Sequence, residues 1–346
     1  MALPGVFQFP ATAELSEIAS ERARVIDAES ALSRVLPIQT SDGWLVEWEY
    51  RENITGMPPV LFADQQFVAT KGTGSKAFGM QPYRFGEQRT MSEKELLNAR
   101  RLGGYDHEAL GDWMDRNMSE MLIRQHNAMT SMRSQILGAN AYVTMYDGEG
   151  NSVTTGRWDR PTDAYIALSG GDKWDQASTG LVLGSLRQCR ELRWGSGFAF
   201  DRRSLAIANT VTWSKAYSNT NSADLGGKRG NYGQTLTDDK GIVEYISNNE
   251  NLPTPVWDDS TWLSDDGTVN KAIPDGYVYL VGYHMTNGLR GGSVQVKSHI
   301  GLNGRAGVYA NAGNTHTEPP RPYLALGANF GPRIDYLKQF LCLKVY

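Results

Sequence analysis

No stretch of this 346-residue chain approaches the roughly 18 uninterrupted apolar residues that a membrane-spanning helix requires. The N-terminal MALPGVFQFPATAELSE has neither the basic start nor the apolar run of a signal peptide. These two absences predict a soluble protein that is not exported. Cysteine is scarce: Cys189 and Cys342 lie far apart with no paired spacing, which fits inert core thiols in a reducing compartment better than a disulfide framework or a zinc site. A strong charge of one sign is missing as well. With 34 Lys and Arg against 38 Asp and Glu, the formal net charge is -4 and the isoelectric point is near 5.8. Such a chain has no bulk basic field to drive nonspecific nucleic-acid affinity.

Signatures of catalysis are also lacking. The five histidines (His107, His126, His284, His299 and His316) form no HxxxH or HExxH pair, and no second ligand type clusters beside them, so no metal site is expected. No serine has glycine both two positions before and two positions after it, which excludes the nucleophile-elbow pattern. SADLGGKR at 222–229 resembles a phosphate loop but has Ser222 where the first glycine belongs and Arg229 where Ser or Thr would hold magnesium. KGTGSKAFG at 71–79 does not sit between a strand and a helix, and it reads as a loop tip. WDDSTWLSDDG at 257–267 misses the alternate spacing of a calcium loop. The expectation is a chain that is not an enzyme, with no catalytic residue, cofactor or metal. Scattered carboxylates that could meet in space as a glycosidase pair are what remains.

What is present is a foldable composition: 40% hydrophobic and 10% aromatic, with nine Trp that a disordered chain would struggle to keep solvated. The length suits one large or two modest domains. Arg outnumbers Lys by 23 to 11. The planar guanidinium suits protein interfaces, and genomic base composition is the competing explanation.

The 14 prolines leave residues 83–160 and 162–252 clear, and long helices can lie only there. Ser92, with Glu95 three residues on, forms the capping-box pattern of a short helix ending before Gly103 and Gly104. Residues 107–137 place Leu110, Trp113, Met114, Met118, Met121, Leu122, Met129, Met132 and Ile136 at three- and four-residue steps. That spacing predicts a spine helix about 45 Å long, closed at Gly138, whose methionine seam reads as core. AYVTMYDGEGNSVTTGRW reads as two short strands about Asp147 and Gly148. Residues 173–192 read as a helix presenting Trp174, Ala177, Leu181, Leu186, Cys189 and Leu192 on one face. The apolar runs at 242–246 and 277–283 read as strands, the second entered through the turn Ile273-Pro274-Asp275-Gly276.

The first forty residues read apart from this body, as a charged helix LSEIASERARVIDAESAL between proline segments. LVEWEY then alternates as an amphipathic strand, and the stretch to Gly86 looks like a long two-armed β excursion with a Gly-rich middle. Such a ribbon cannot cover both its faces with its own residues. It must lie on something else.

This order of parts resembles the tailed-bacteriophage major capsid proteins of the Hong Kong ninety-seven type, and among them those similar to the lambda major head protein. The resemblance is carried by RFGEQRTMSEKELLNARRLG (84–103), by the spine helix with its exit ILGANAYVTMYDGEGNSVTTGRW, by Trp174 and Asp175 in GGDKWDQAST, and by KAIPDGYVYLVG (271–282). It spans most of the chain from about Trp44 onward. It implies an α+β capsid fold with an N-terminal arm at 1–40, an extended β-hairpin loop at 41–90, a peripheral domain at 91–160 and 277–346 built on the spine helix, and an axial domain at 161–276.

The resemblance further implies that the loop and the arm lie on neighbouring copies. Expected contact residues are Trp44, Trp48, Tyr50, Phe62, Phe67, Phe78 and Tyr83 on the excursion, with Arg84 and Arg89 at its base. Pentamers and hexamers would close an icosahedral shell around double-stranded DNA, which they would contact weakly and nonspecifically. Portal, separate scaffold and decoration proteins would be partners, and no membrane would be involved. The location implied is the virion, assembled in the host cytoplasm. Some members join a loop lysine to an asparagine; Lys71 and Lys76 are the candidates here, with noncovalent contact expected for lambda-like members. The alternatives are a bacterial nanocompartment shell of the same fold and a carbohydrate-binding or hydrolysing β-rich protein, against which the long helix argues.

Overall fold

The computed structural model describes residues 9–28, 30–51, 75–98, 100–101, 104–105, 107–138, 143–146, 152–154, 161–176, 178–218, 244–263, 267–316 and 320–346. The chain opens with helices α1 (Thr12–Asp27) and α2 (Ala31–Val35), strand β1 (Ile38–Thr40), and a ladder of β2 (Val46–Arg51) with β3 (Ser75–Met80). Next come β4 (Tyr83–Thr90), α3 (Glu93–Asn98), the short β5 (Arg100–Arg101) and β6 (Gly104–Tyr105), and the spine helix α4 (His107–Leu137). A hairpin of β7 (Thr144–Tyr146) and β8 (Ser152–Thr154) leads to β9 (Tyr165–Ala167), α5 (Val182–Leu192), β10 (Leu205–Ala208) and α6 (Thr210–Ser218). The remainder is β11 (Thr254–Trp257), β12 (Thr261–Leu263), β13 (Val269–Lys271), β14 (Tyr277–Val281), β15 (Gly292–Lys297), β16 (Tyr309–Asn314), β17 (Pro322–Ile334) and β18 (Phe340–Lys344).

The 13-residue β17 is the hub of the main sheet. β4 pairs along one side of it, β16 and then β15 along the other, and β1 adds in parallel outside β15. Successive residues of a strand point to opposite faces. The inner face therefore collects Phe85, Val294, Val296, Ala310, Leu324, Leu326 and Phe330, and α1 and α4 bury it. Phe85 stacks on Phe330 with ring centroids 4.1 Å apart. Met118, Met121, Met129 and Met132 are buried in this core, so the methionine seam of the spine is packing. The capping box also forms: the Glu95 carboxylate accepts from Ser92 N at 2.8 Å. No helix among the described residues is long and apolar enough to cross a membrane.

A second sheet, in the order β11-β10-β14-β18-β9, carries the second core with α5 and α6. β14 and β18 form the wall between the two cores. Tyr279, Val281 and Cys342 face the first core, while Val278, Leu280, Leu341 and Leu343 face the second. A strand buried on both faces carries a continuous apolar run, which is the physical reason for YVYLV.

Four expectations are corrected. The arm at 1–40 does not stand apart: Leu15, Ala19 and Ala23 of α1 and Leu32, Val35 and Leu36 around α2 are buried in the first core. The domain boundary at 276/277 falls inside a shared wall, because β14 and β18 complete the sheet of the second core. The helix expected from residue 173 begins only at Val182. Trp174 instead inserts into the second core, its indole donating to Ser185 Oγ at 3.1 Å, while Leu181 N turns back to Asp172 O. Finally, the strand expected at 242–246 is replaced, in its described part, by a single wide helical turn, Glu244–Asn249, which points Ile246 into the second core.

Candidate functional site

The β2–β3 ladder is anchored to the main sheet at its Val46 and Met80 end. Its register runs from Val46 opposite Met80, through Trp48 opposite Phe78 and Tyr50 opposite Lys76, to Arg51 opposite Ser75. Among the described residues it pairs with no other strand. At the root, Val46 and Met80 are buried over Gly331 of β17. A Cβ on Gly331 would lie 3.1 Å from Val46 Cγ2 and 3.3 Å from Met80 Cε, so the glycine is what lets the ladder sit down on the sheet.

The expected contact residues separate into distinct environments. Trp44, just before the ladder, is 63% exposed. Phe78 is half-buried against the first core. Trp48 and Tyr50 are placed by register, and Phe62, Phe67 and Lys71 lie outside the described residues. Tyr83 is buried in its own chain, its hydroxyl donating to the carbonyls of Val143 at 2.8 Å and Val153 at 3.2 Å. Arg84 projects, exposed, from the outer face of the main sheet, and Arg89 from the inner face. Arg89 donates to Glu87 at 3.0 Å, to Asn117 at 3.0 Å and to the Glu120 carboxylate. Burial would lower its pKa, but the hydrogen bonds to Glu120 and Glu87 outweigh this and raise it. Arg89 is a strut between β4 and the spine.

The outer face of the main sheet was not foreseen. Cross-strand partners place Gln39, Ser293, Gln295, Lys297, Asn329, Arg84, Gln88, Tyr323, Tyr309 and Asn311 together on it. No strand residue of that face is a carboxylate or an aliphatic larger than alanine. Residues 41–47 cover one half. There Lys297 is buried, donates to Ser41 Oγ at 3.0 Å, and has its pKa lowered by burial. On the other half Arg84, Gly86, Gln88 and Thr90 are exposed. The signal was legible in the small and polar alternate positions of YRFGEQRT and YANAGN, which suit close approach by another backbone.

Reactive groups do not converge. Among the described residues no group of three or more His, Cys, Asp or Glu could hold a metal ion. Burial pushes the Cys189 thiol up to about 12, leaving it protonated. His284 and His299 stack on Tyr336 and Tyr309, and burial lowers both their pKa values. An open cavity of about 1290 Å³ lies between α1, β1, α4 and the inner face of the sheet; Ile38, Met129, Val308 and Phe330 line its floor and Glu17, Arg22 and Arg24 its rim. It contains no activated nucleophile.

A scan of protein-family models finds no match to this sequence, and a search of curated proteins finds none either. Solved structures do match. The chain is similar to a protein assigned as the capsid protein of a prophage of E. coli CFT073, at 12% identity over 100% of both chains and a TM-score of 0.58. It is also similar to a phage-related protein from Bordetella bronchiseptica RB50, at 10% identity over 99% of this chain and 98% of that one, with a TM-score of 0.55. At such identities the likeness establishes the fold. From end to end, the chain has the α+β capsid-protein architecture that the sequence resemblance implied.

Proposed function

We propose that this chain is the major subunit of an icosahedral capsid, assembling with copies of itself around the double-stranded DNA of a tailed bacteriophage. The observation that carries this reading is the β2–β3 ladder, which stands on a whole-chain capsid fold and pairs with no other strand of its own chain among the described residues. An isolated two-stranded ribbon is marginal in water. It gains cover when it lies across a second copy, and the exposed polar half-face around Arg84 and Gln88 is the surface that would receive it.

Each contact can be weak, because a subunit in a shell touches several neighbours and must leave all of them to escape. The balanced charge suits the role, since an inner wall that gripped phosphate tightly would oppose both packaging and release. Pentamers and hexamers, a portal, and separate scaffold and decoration proteins belong to this reading, as does a place in the virion.

Electron microscopy of the purified chain tests it. Closed shells are expected, and a chain that stays monomeric under all assembly conditions overturns the reading. Deleting residues 55–80 is expected to abolish shells; intact shells would remove the loop from its stapling role. Shells filled with enzyme rather than DNA would favour the nanocompartment alternative. On a denaturing gel, noncovalent assembly predicts intact monomers.

A further inference from the structure

Two strand edges lie on the side of β17 opposite β4, and they are covered differently. Along β16, hydroxyls of α1 take up the backbone: Ser16 Oγ accepts from Ala310 N at 3.0 Å and Ser20 Oγ accepts from Val308 N at 3.3 Å. Strand β1, outermost beside β15, has no neighbour on its other side among the described residues. Its phase is set by two flanking bonds. Val294 N donates to the Pro37 carbonyl at 3.0 Å, and Ser41 N donates to the Val296 carbonyl at 3.0 Å. In a parallel pair, residues that bond the partner strand alternate with residues that do not. Positions 37, 39 and 41 therefore face β15, and Ile38 and Thr40 turn their N–H and C=O groups to the open edge.

That edge borders the cavity of about 1290 Å³ between α1 and α4. Ile38, Met129, Val296 and Phe330 give the cavity an apolar floor, and its charged lining balances, Glu17 and Glu21 against Arg22 and Arg24. Gln125 of the spine also lines it. This side chain is 7% exposed, yet its carboxamide has no hydrogen-bond partner among the described residues. A buried amide without a partner is costly. With a donor and an acceptor side by side, a carboxamide is the complement of a peptide group. The volume exceeds the roughly 300–1,000 Å³ of small-ligand sites, which suits a segment of several residues.

We propose that this cavity is a slot for an extended, uncharged segment of a separate protein, which adds to β1 as a further strand. Pairing lays the segment about 4.8 Å from β1, bonded to the N–H and C=O groups of Ile38 and Thr40. Its apolar side chains rest on Met129 and Phe330, and one of its main-chain groups meets the Gln125 carboxamide. In this mode of recognition main-chain bonds supply affinity and alternate side chains supply selectivity. Charge selects the occupant. The balanced rim and apolar floor offer no net counter-charge to a charged strand, and the β2–β3 ladder of a second copy carries Glu47, Glu49, Arg51 and Lys76. Such a ladder does not answer the slot. The slot belongs to the single chain and needs no shell to form.

The test pans a displayed library of random heptapeptides on the unassembled full-length chain, and the enriched sequences are then measured as blocked synthetic peptides. Enrichment is expected of uncharged sequences in which β-branched or aromatic residues alternate with others. On binding, such a peptide is expected to slow amide exchange at Ile38 and Thr40 by about tenfold or more. Gln39 and Ser41, which already face β15, should stay unchanged. Gln125→Leu removes no bond of the folded chain, so its unfolding midpoint is expected not to fall. The peptide should nonetheless lose about tenfold in affinity, because the group that met the carboxamide is stranded. The proposal is overturned by a library that enriches nothing, by enrichment of acidic or basic sequences, by protection elsewhere than at Ile38 and Thr40, or by equal affinity for the Gln125→Leu chain. Enriched sequences that match a segment of this chain would give the slot to a second copy and overturn the separate partner. None of these outcomes touches the capsid reading, which stands or falls on shell formation by the unsubstituted chain.

Discussion

Arg133 and Asp27 form an enclosed bidentate ion pair between the spine and α1, with Nη1 2.5 Å from Oδ1 and Nη2 2.9 Å from Oδ2. The remaining donor is also used: Arg133 Nε donates to the Leu36 carbonyl at 2.8 Å. One side chain thus ties together α1, the end of α2 and α4. Replacing either partner alone strands a buried charge, so Asp27→Leu or Arg133→Met is expected to cost about 3–5 kcal/mol in urea unfolding of the unassembled chain. The double substitution is expected to recover most of that loss.

The same pair makes α1 docking depend on acid. Burial would raise the Asp27 pKa, but hydrogen bonds and charge from His126 and Arg133 outweigh it and hold the carboxyl below its usual value. A lowered folded pKa contributes stability above the unfolded value, near 4, that is lost as pH falls through the folded value. Protection of residues 12–27 against hydrogen exchange, measured relative to the intrinsic rate, should therefore fall as pH drops below about 4 more than protection in the spine does. Asp27→Asn should remove that difference, and an unchanged profile would refute the assignment.

Backbone crowding gives a sharper contrast at two glycines. A Cβ on Gly292 would lie 2.2 Å from the Arg333 carbonyl oxygen and 3.1 Å from Ile334 Cα, where only backbone can yield. Gly292→Ala is expected to part β15 from β17 and cost about 3 kcal/mol. Gly86→Ala meets only the Leu326 carbonyl, at 3.9 Å, and should stay within about 0.5 kcal/mol. Similar costs at the two sites would contradict the strand pairing.

Much of this architecture was legible in local pattern. The spine spans His107–Leu137 because its apolar spacing is helical throughout and Gly138 follows it. The Ser92 and Glu95 box is a contact within one turn, which spacing alone specifies. Errors arose where distant packing decided. Trp174 sits at helical spacing with Leu181, yet the second core draws it in before the helix begins. Glu14, Glu17, Glu21, Arg22 and Arg24 made α1 look like a solvated arm. Its dock consists of hydroxyls and alanines reading β16, some 290 residues away, to which hydrophobic patterning is blind. Of the candidate site, the ladder was visible in LVEWEY. The outer sheet face left only a local trace, in the small and polar alternate positions of YRFGEQRT and YANAGN, and its assembly was not visible because its members come from strands far apart in the sequence.

The two cysteines should behave as core atoms. Burial pushes the Cys189 thiol up to about 12, and both thiols are enclosed. Maleimide labelling of the native chain at pH 7.5 should therefore be negligible and become complete only in denaturant. Rapid native labelling at Cys189 would mean that the second core opens.

Four residues near the ladder should divide assembly from stability. Trp44 and Arg84 are exposed, so Trp44→Ala and Arg84→Glu are expected to leave unfolding within about 0.5 kcal/mol of the parent. If that surface meets a second copy, each should nonetheless reduce the shell fraction in a sedimentation assay, because a loss at one contact repeats in every subunit. Tyr83→Phe should do the reverse. It removes the hydroxyl shared by Val143 and Val153, and about 1–3 kcal/mol of stability should go with it through the stranded buried carbonyl. Arg89→Ala should loosen β4 from the spine, lowering stability in the unassembled chain as well. Were all four to reduce assembly only in proportion to lost stability, the exposed pair would have no contact role, and the ladder would have to engage its neighbour through residues beyond Arg51.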